Sequence, residues 1–525
     1  MKITFYGGAE TVTGSCYLVT TDTKEKILVD CGLFQGNKTV KERNYGDFPF
    51  NPAEIDWVLL THAHIDHSGR IPKLYKKGYK GPVITTNITK EMCSVMLPDS
   101  GHIQEMEIER KNRKNLRAGK PLLEPIYTAA DAEDCIKHFD GKQYNELIKL
   151  NDNISIRFKD AGHILGSAII EVWVKNAQGS KKITFTGDLG GYEKPLVNDP
   201  EFLEETDYLL IESTYGSRSH DEDMTRAGKL EAIIEETFKS GGNLVIPSFA
   251  VERTQDLLFD LNKLVEAGKI SPSSIFVDSP LAIAITEIFC KNIDSCDEET
   301  QDFGRTSGKC PLLINNLRFT RTAEESKAIN KIRSGAIIIS ASGMCDAGRI
   351  KHHLKHNLWR SNSTVLFIGY QAKGTLGRNI LEGASKVKIH GEDVTVNARI
   401  ESIKGYSSHA DQEDLLKWIG NITNKPDLVF LVHGELEESS TLKSLIEQDY
   451  QIETHIPCYL EEYPLSTEAK PLCLSHEVRD KEVDLDEQLD SLMRQFYSVG
   501  KNLISDKKYQ ETEELIKEIK KKLIS

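Results

Sequence analysis

The chain has 525 residues, of which 39% are hydrophobic and 28% charged, and a formal net charge of −14. That length allows two domains plus an appendage around a sizeable core, and no apolar run approaches the ~18 to 20 residues needed to cross a bilayer. The acidic balance argues against a broad basic coat for nucleic acid, but leaves room for a local basic groove, because binding follows local potential.

The start, MKITFYGGAE, reads as a short strand and not as a secretory leader, which predicts a soluble, cytoplasmic protein with no membrane partner. The ten cysteines, from Cys16 to Cys473, are scattered without a CxxC pair, which predicts reduced thiols and neither disulfides nor a thiolate zinc site. Over the first ninety residues, short β-rich runs alternate with turns: KITFYGG, SCYLVTT, KILVDCG, IDWVLLTHAH and GPVITTN. From about residue 90 to 147 the sequence turns charged and helix-favouring, as an insertion on that strand scaffold would. Its basic run RKNRKNLR follows the acidic MEIE and reads as a solvated helix face. Strands return with NISIRFKDAGHI, SAIIEVWVK, KKITFTGDLG and TDYLLIEST, closing a first segment over residues 1–215.

Past Gly216, apolar strands alternate with amphipathic helices, the pattern of a parallel sheet covered on both faces, and this predicts a second domain over residues 216–384. The histidines of KHHLKHN fall on one of these helices and read as helix-face residues without chemistry. Residues 385–460 return to strands, two of them around a Gly-Glu-Asp turn, so the α/β block is read as inserted into the first domain. Residues 461–525 are amphipathic and charged, and the expectation is a helical extension that packs on the body or on a second copy as a homodimer.

The densest chemistry lies in THAHIDHSGR, where His62, His64, Asp66 and His67 leave the apolar strand IDWVLL together. Loops on a rigid sheet are where ligands are presented, and clustered imidazole and carboxylate suit zinc or a similar divalent ion. Two metals need more donors than this loop supplies. His163 in KDAGHILGSA and Asp188 in ITFTGDLGG both end strand-like runs, and Asp188 is the natural bridging carboxylate of a two-metal site. Asp30 in ILVDCG ends another and is read as the carboxylate that holds the histidine loop.

Asp30, the His62-x-His64-x-Asp66-His67 run, His163 and Asp188, in this order, resemble the metallo-β-lactamase superfamily, which implies an αββα sandwich with a dinuclear zinc site, two Zn²⁺ per chain. That superfamily is chemically broad. Glu212 in YLLIEST, His409 in SSHAD and His433 in LVFLVHGE resemble motifs A, B and C of the β-CASP nucleases. VTGSCYLV, IPSFAVERTQDLL, SASGMCDAGRIKHHL and GYQAKGTLGRNILEGA are similar to the RNA-processing branch related to the cleavage and polyadenylation specificity factor nuclease, over roughly residues 1–460. Ser408 stands where that branch often has alanine. Histidine at motif C, where DNA-repair members carry valine, favours RNA.

The resemblance implies a zinc-dependent ribonuclease acting on single-stranded RNA. His62, His64 and His163 would hold one metal, Asp66, His67 and His433 the other, and Asp188 would bridge. A two-metal-activated hydroxide would attack phosphorus in line, with His409 as acid to the leaving 3′ oxygen and Glu212 orienting it, leaving 5′-phosphate and 3′-hydroxyl ends. Cleavage is expected to be endonucleolytic, with 5′ exonuclease action as a second mode. Ser248, Arg253, Lys373 and Arg378 lie in loops of the inserted domain and are the expected phosphate contacts. The alternatives are a small-molecule hydrolase of the same superfamily, which leaves His409 and the inserted domain without a task, and a non-catalytic scaffold.

Overall fold

The computed structural model describes residues 1–36, 38–176, 179–218, 226–271, 274–372 and 374–465. Two seven-stranded sheets lie face to face. The first runs, edge to edge, through Glu462–Pro464, Lys2–Phe5, Tyr17–Thr20, Lys26–Val29, Trp57–Leu59, Val83–Thr86 and Phe139–Lys142. The second runs through Thr454–His455, Leu428–Val432, Tyr208–Glu212, Gly179–Phe185, Ala168–Asn176, Ile154–Asp160 and Ile148–Lys149.

The alternation of side chains along each strand decides which layer each residue enters. Ile3, Phe5, Val19 and Val29 from the first sheet meet Phe158, Ile170, Phe185, Leu210 and Phe430 from the second in one core, with Phe5 and Phe430 ring centroids 5.3 Å apart. Their neighbours point outward: Leu18, Leu28 and Val58 pack under the helix Asn87–Arg117, and Leu209, Ile211 and Leu431 under Gln412–Gly420 and Leu436–Tyr450. Helix, sheet, sheet and helix stack as an αββα sandwich.

The third sheet has six strands, all parallel, in the order Leu317–Phe319, Ser274–Val277, Ala336–Ser340, Leu244–Pro247, Thr364–Phe367, Arg399–Ser402. The chain leaves the sandwich at Glu212 and re-enters it at Leu428–Val432, which pairs in parallel with Tyr208–Glu212. The whole α/β block is thus spliced between two adjacent strands of one sheet. No helix among the described residues is long and apolar enough to cross a membrane.

Several expectations require correction. The six-stranded sheet runs to Ser402, past the boundary at residue 384, because Arg399–Ser402 completes its edge beside Thr364–Phe367. The hairpin before it turns at His390 and Gly391, not at a Gly-Glu-Asp turn, since Ile389 pairs with Glu392. The helical insertion ends in a strand, Phe139–Lys142, which edges the first sheet. Glu462–Pro464, placed in the C-terminal extension, instead pairs with Lys2–Phe5; residues 466–525, and with them the expected dimer contact, lie outside the described residues. Cysteines are not uniformly reduced: Cys290 and Cys310 form a disulfide, because the end of the helix Pro280–Lys291 and the segment after Glu298–Ser307 bring their Cα atoms to 5.4 Å. Nothing in a 20-residue separation announces that approach.

Candidate metal centre

The loops that end strands of both sheets meet at one edge of the sandwich. Asp30 follows Lys26–Val29, the run from Thr61 to His67 follows Trp57–Leu59, His163 follows Ile154–Asp160, Asp188 follows Gly179–Phe185, and His433 follows Leu428–Val432. Asp30 and His433 adopt left-handed backbone, φ 59° and 50°, which non-glycine residues avoid unless their surroundings hold them there. Gly187 is also left-handed, at φ 55°, and a Cβ on it would press to 2.7 Å from the Thr61 Cβ, so only glycine lets the Asp188 loop close on the histidine loop.

Two sets of donor atoms converge. His62 Nε2 lies 3.1 Å and His163 Nε2 3.2 Å from His64 Nδ1, and Asp188 Oδ2 is 3.5 Å from both of those Nε2 atoms. Beside them, His67 Nε2 and His433 Nδ1 lie 3.2 and 3.3 Å from Asp188 Oδ1, and His433 Nε2 lies 3.6 Å from Asp66 Oδ2. Asp188 therefore turns one oxygen to each set. All seven residues expected from the sequence are present.

The surroundings orient these rings. Asp30 Oδ2 accepts from His67 Nδ1 at 2.8 Å, which directs His67 Nε2 into the cluster, and Asp30 Oδ1 accepts from the Thr61 amide at 2.9 Å. Thr61 Oγ1 lies 3.0 Å from His62 Nδ1, and Thr214 Oγ1 lies 3.1 Å from His433 Nδ1 while donating to the His433 carbonyl at 3.0 Å. Neither threonine stood out in the sequence, since threonine at a strand end is unremarkable; only adjacency to a motif could have pointed to them. His409 Nδ1 sits 3.0 Å from Glu212 Oε2, and Glu212 Oε1 also accepts from the Leu189 amide at 2.6 Å.

Burial pushes His62 and His163 well below the ordinary imidazole value and takes His64 down to about 4, so these rings are neutral, the form that ligates metal. Burial alone would raise Asp188, but His433, His67 and His62 around it hold its carboxyl well below the usual range. Burial opposes charge on His409 as well; the Glu212 carboxylate outweighs it and lifts the imidazolium to about 9.

Does this set fit a metal? Among the described residues, His67 Nε2, Asp188 Oδ1 and His433 Nε2 are buried without a hydrogen-bond partner, and buried polar atoms of that kind need an explanation. The His62 and His163 Nε2 atoms converge on His64 Nδ1 at 3.1 and 3.2 Å, and in the tautomers that turn all three lone pairs inward they offer one cation three donors. Nitrogen-rich donors with one shared carboxylate suit zinc. The residues fit.

The expected phosphate contacts are less uniform. Arg253 opens the helix Arg253–Glu266, its guanidinium over the Phe249 ring at 4.5 Å, and among the described residues that guanidinium makes no hydrogen bond or ion pair. Gly369 leaves it room, because a Cβ there would overlap the guanidinium. Ser248 is buried, accepting from Thr254 Oγ1 at 3.0 Å and donating to the Phe249 carbonyl at 3.2 Å, so its hydroxyl is already committed. Arg378 donates Nε to Glu382 at 2.7 Å along its own helix, and Lys373 lies outside the described residues. His353, on the helix-face run, is fully buried and bonded to Asp278 at 2.6 Å.

Comparison with known proteins agrees with this geometry. Three family models match: the metallo-beta-lactamase superfamily over residues 9–134, the Beta-Casp domain over 254–380, and the Zn-dependent metallo-hydrolase RNA specificity domain over 393–457. The chain is 35% identical over 446 residues to Ribonuclease TTHA0252 of Thermus thermophilus, covering 85% of this chain and 96% of that protein. It is 30% identical over 481 residues to the transcription termination factor FttA of Thermococcus kodakarensis and 28% over 476 to that of Methanocaldococcus jannaschii, each covering 88% of this chain and 71% of the relative. The chain belongs to the β-CASP family of RNA-processing metallo-hydrolases within the metallo-β-lactamase superfamily.

Proposed function

We propose that the protein is a zinc-dependent ribonuclease that binds two zinc ions, cleaves single-stranded RNA internally with 5′ trimming as a second mode, and leaves 5′-phosphate and 3′-hydroxyl ends. The observation that carries this reading is the Glu212–His409 pair set against the donor cluster, with the His409 and His163 ring centroids 4.5 Å apart. A donor cluster alone serves any metallo-hydrolase; a phosphodiester also needs a proton for its leaving alkoxide.

His62, His64 and His163 would hold one zinc, Asp66, His67 and His433 the other, and Asp188 would bridge them. When bound, such a pair acidifies the attacking water and neutralises charge on the phosphoryl oxygens. The rest falls to the chain. Glu212 engages Nδ1 of His409, leaving Nε2 to donate to the departing 3′ oxygen. By accepting from the Leu189 amide as well, Glu212 ties that ring to the loop that carries Asp188. Arg253, whose guanidinium has no acceptor among the described residues, would take a phosphate of the strand and hold it in register.

The test is end-labelled single-stranded RNA incubated with zinc-loaded protein, the products mapped for position and end chemistry. Internal cuts with 5′-phosphates are expected, and their absence in His64→Ala. Intact RNA under both conditions would end the ribonuclease reading.

A further inference from the structure

Glu212 holds one atom of the His409 ring, Nδ1, which lies 3.0 and 3.2 Å from its two carboxylate oxygens, and the His163 ring packs on one side with centroids 4.5 Å apart. A further support is in place. The Tyr215 ring meets His409 in an edge-on arrangement, centroids 5.9 Å apart and planes at 70°. Tyr215 is half-buried and only three residues beyond Glu212, on a segment pinned at every step: Ser213 Oγ donates to the Val432 carbonyl at 2.9 Å, and Thr214 bonds His433. Tyr215 also lies within electrostatic reach of the Arg253 guanidinium, as does Asp256. The tyrosine thus neighbours both the ring that would protonate the leaving oxygen and the cation that would hold a neighbouring phosphate.

We propose that Tyr215 is a positioning residue: its ring holds the His409 imidazole in the donating orientation and walls the side of the cleft through which the leaving strand passes. This rests on the reading of His409 as the acid. Aromatic edge contacts of this kind are geometrically selective, and a small misplacement of a catalytic group costs rate out of proportion to its size. An RNA 3′ oxygen needs the proton, whereas p-nitrophenolate departs without one. Loss of Tyr215 should therefore slow RNA cleavage and spare an activated aryl diester.

The experiment compares zinc-loaded wild type, Tyr215→Ala, Tyr215→Phe and His409→Ala, at equal zinc content, on a single-stranded RNA oligomer and on bis(p-nitrophenyl) phosphate. Tyr215→Ala is expected to lower kcat on RNA about 10-fold while its aryl diester turnover stays within about twofold of wild type, and Tyr215→Phe to restore RNA cleavage. Should the alanine variant be insoluble, Tyr215→Leu gives the same split. Equal loss on both substrates, or wild-type RNA cleavage by the alanine and leucine variants, overturns the inference while the acid role of His409 stands. If His409→Ala cleaves RNA normally, the acid reading fails first, and the role of Tyr215 falls with it.

Discussion

A histidine held at Nδ1 by a buried carboxylate keeps its proton to higher pH than a free one, and His409, lifted to about 9 against the desolvation of its site, is such a case. An acid must be protonated to donate, so kcat on RNA should hold through neutrality and fall as pH rises through the alkaline range. Glu212→Gln removes the negative charge and moves that fall to lower pH; a pH–rate profile of both proteins checks it, and an unmoved limb would detach Glu212 from His409. Thr214 offers a second measurement. Its hydroxyl is 3.1 Å from His433 Nδ1, and removing a group that orients a ligand typically weakens metal binding ~10 to 100-fold. Thr214→Val should show that loss of zinc affinity in competition with a chelator. The donor cluster itself is legible because His62, His64, Asp66 and His67 are too dense to be accidental. Thr61 and Thr214 are not, because a hydroxyl that aims a ring carries no pattern of its own along the chain.

At the scale of elements, the inserted sheet is anchored by a polar cluster with no part in the chemistry. Asp278 ends the strand Ser274–Val277, is wholly buried, and accepts from Thr320 Oγ1 and Ser326 Oγ at 2.6 Å each, from His353 Nε2 at 2.6 Å and from Arg349 Nη1 at 2.7 Å. Burial would raise its carboxyl, but His353, the two hydroxyls and Arg349 together pull it well below the usual range. The unfolded chain then binds the more protons at low pH, so the stability this carboxylate contributes is complete above about pH 4 and is lost as pH falls below it. Asp278→Asn should cost about 3 kcal/mol at neutral pH and flatten the acid side of the profile, read by urea denaturation at pH 7 and pH 3. Period and composition made the alternating strands and helices of this sheet readable from sequence. Arg399–Ser402 reads as part of a β run of the first domain, because a short polar edge strand lacks the apolar run of a central one; its partner Thr364–Phe367 decides its place.

For the whole molecule, splicing the α/β block between adjacent strands puts Glu212 at its entrance, His409 just after its exit, and Arg253 inside it, so the candidate site draws on segments far apart in sequence. A net charge of −14 says nothing of this, since a polyanion responds to the local field and not to the total charge. The consequence can be measured through salt. Each phosphate neutralised on a single strand contributes about 0.7 to the slope of log affinity against log salt concentration. Arg253→Ala should therefore raise KM for RNA severalfold at low salt, reduce that slope by about 0.7, and leave kcat the less affected of the two constants. Arg253→Lys restores the charge but not the planar fork, so it should recover the slope more fully than the affinity. A slope unchanged in Arg253→Ala would mean that the guanidinium meets no phosphate, and would leave the inserted domain to grip RNA through groups other than the arginine that opens its helix Arg253–Glu266.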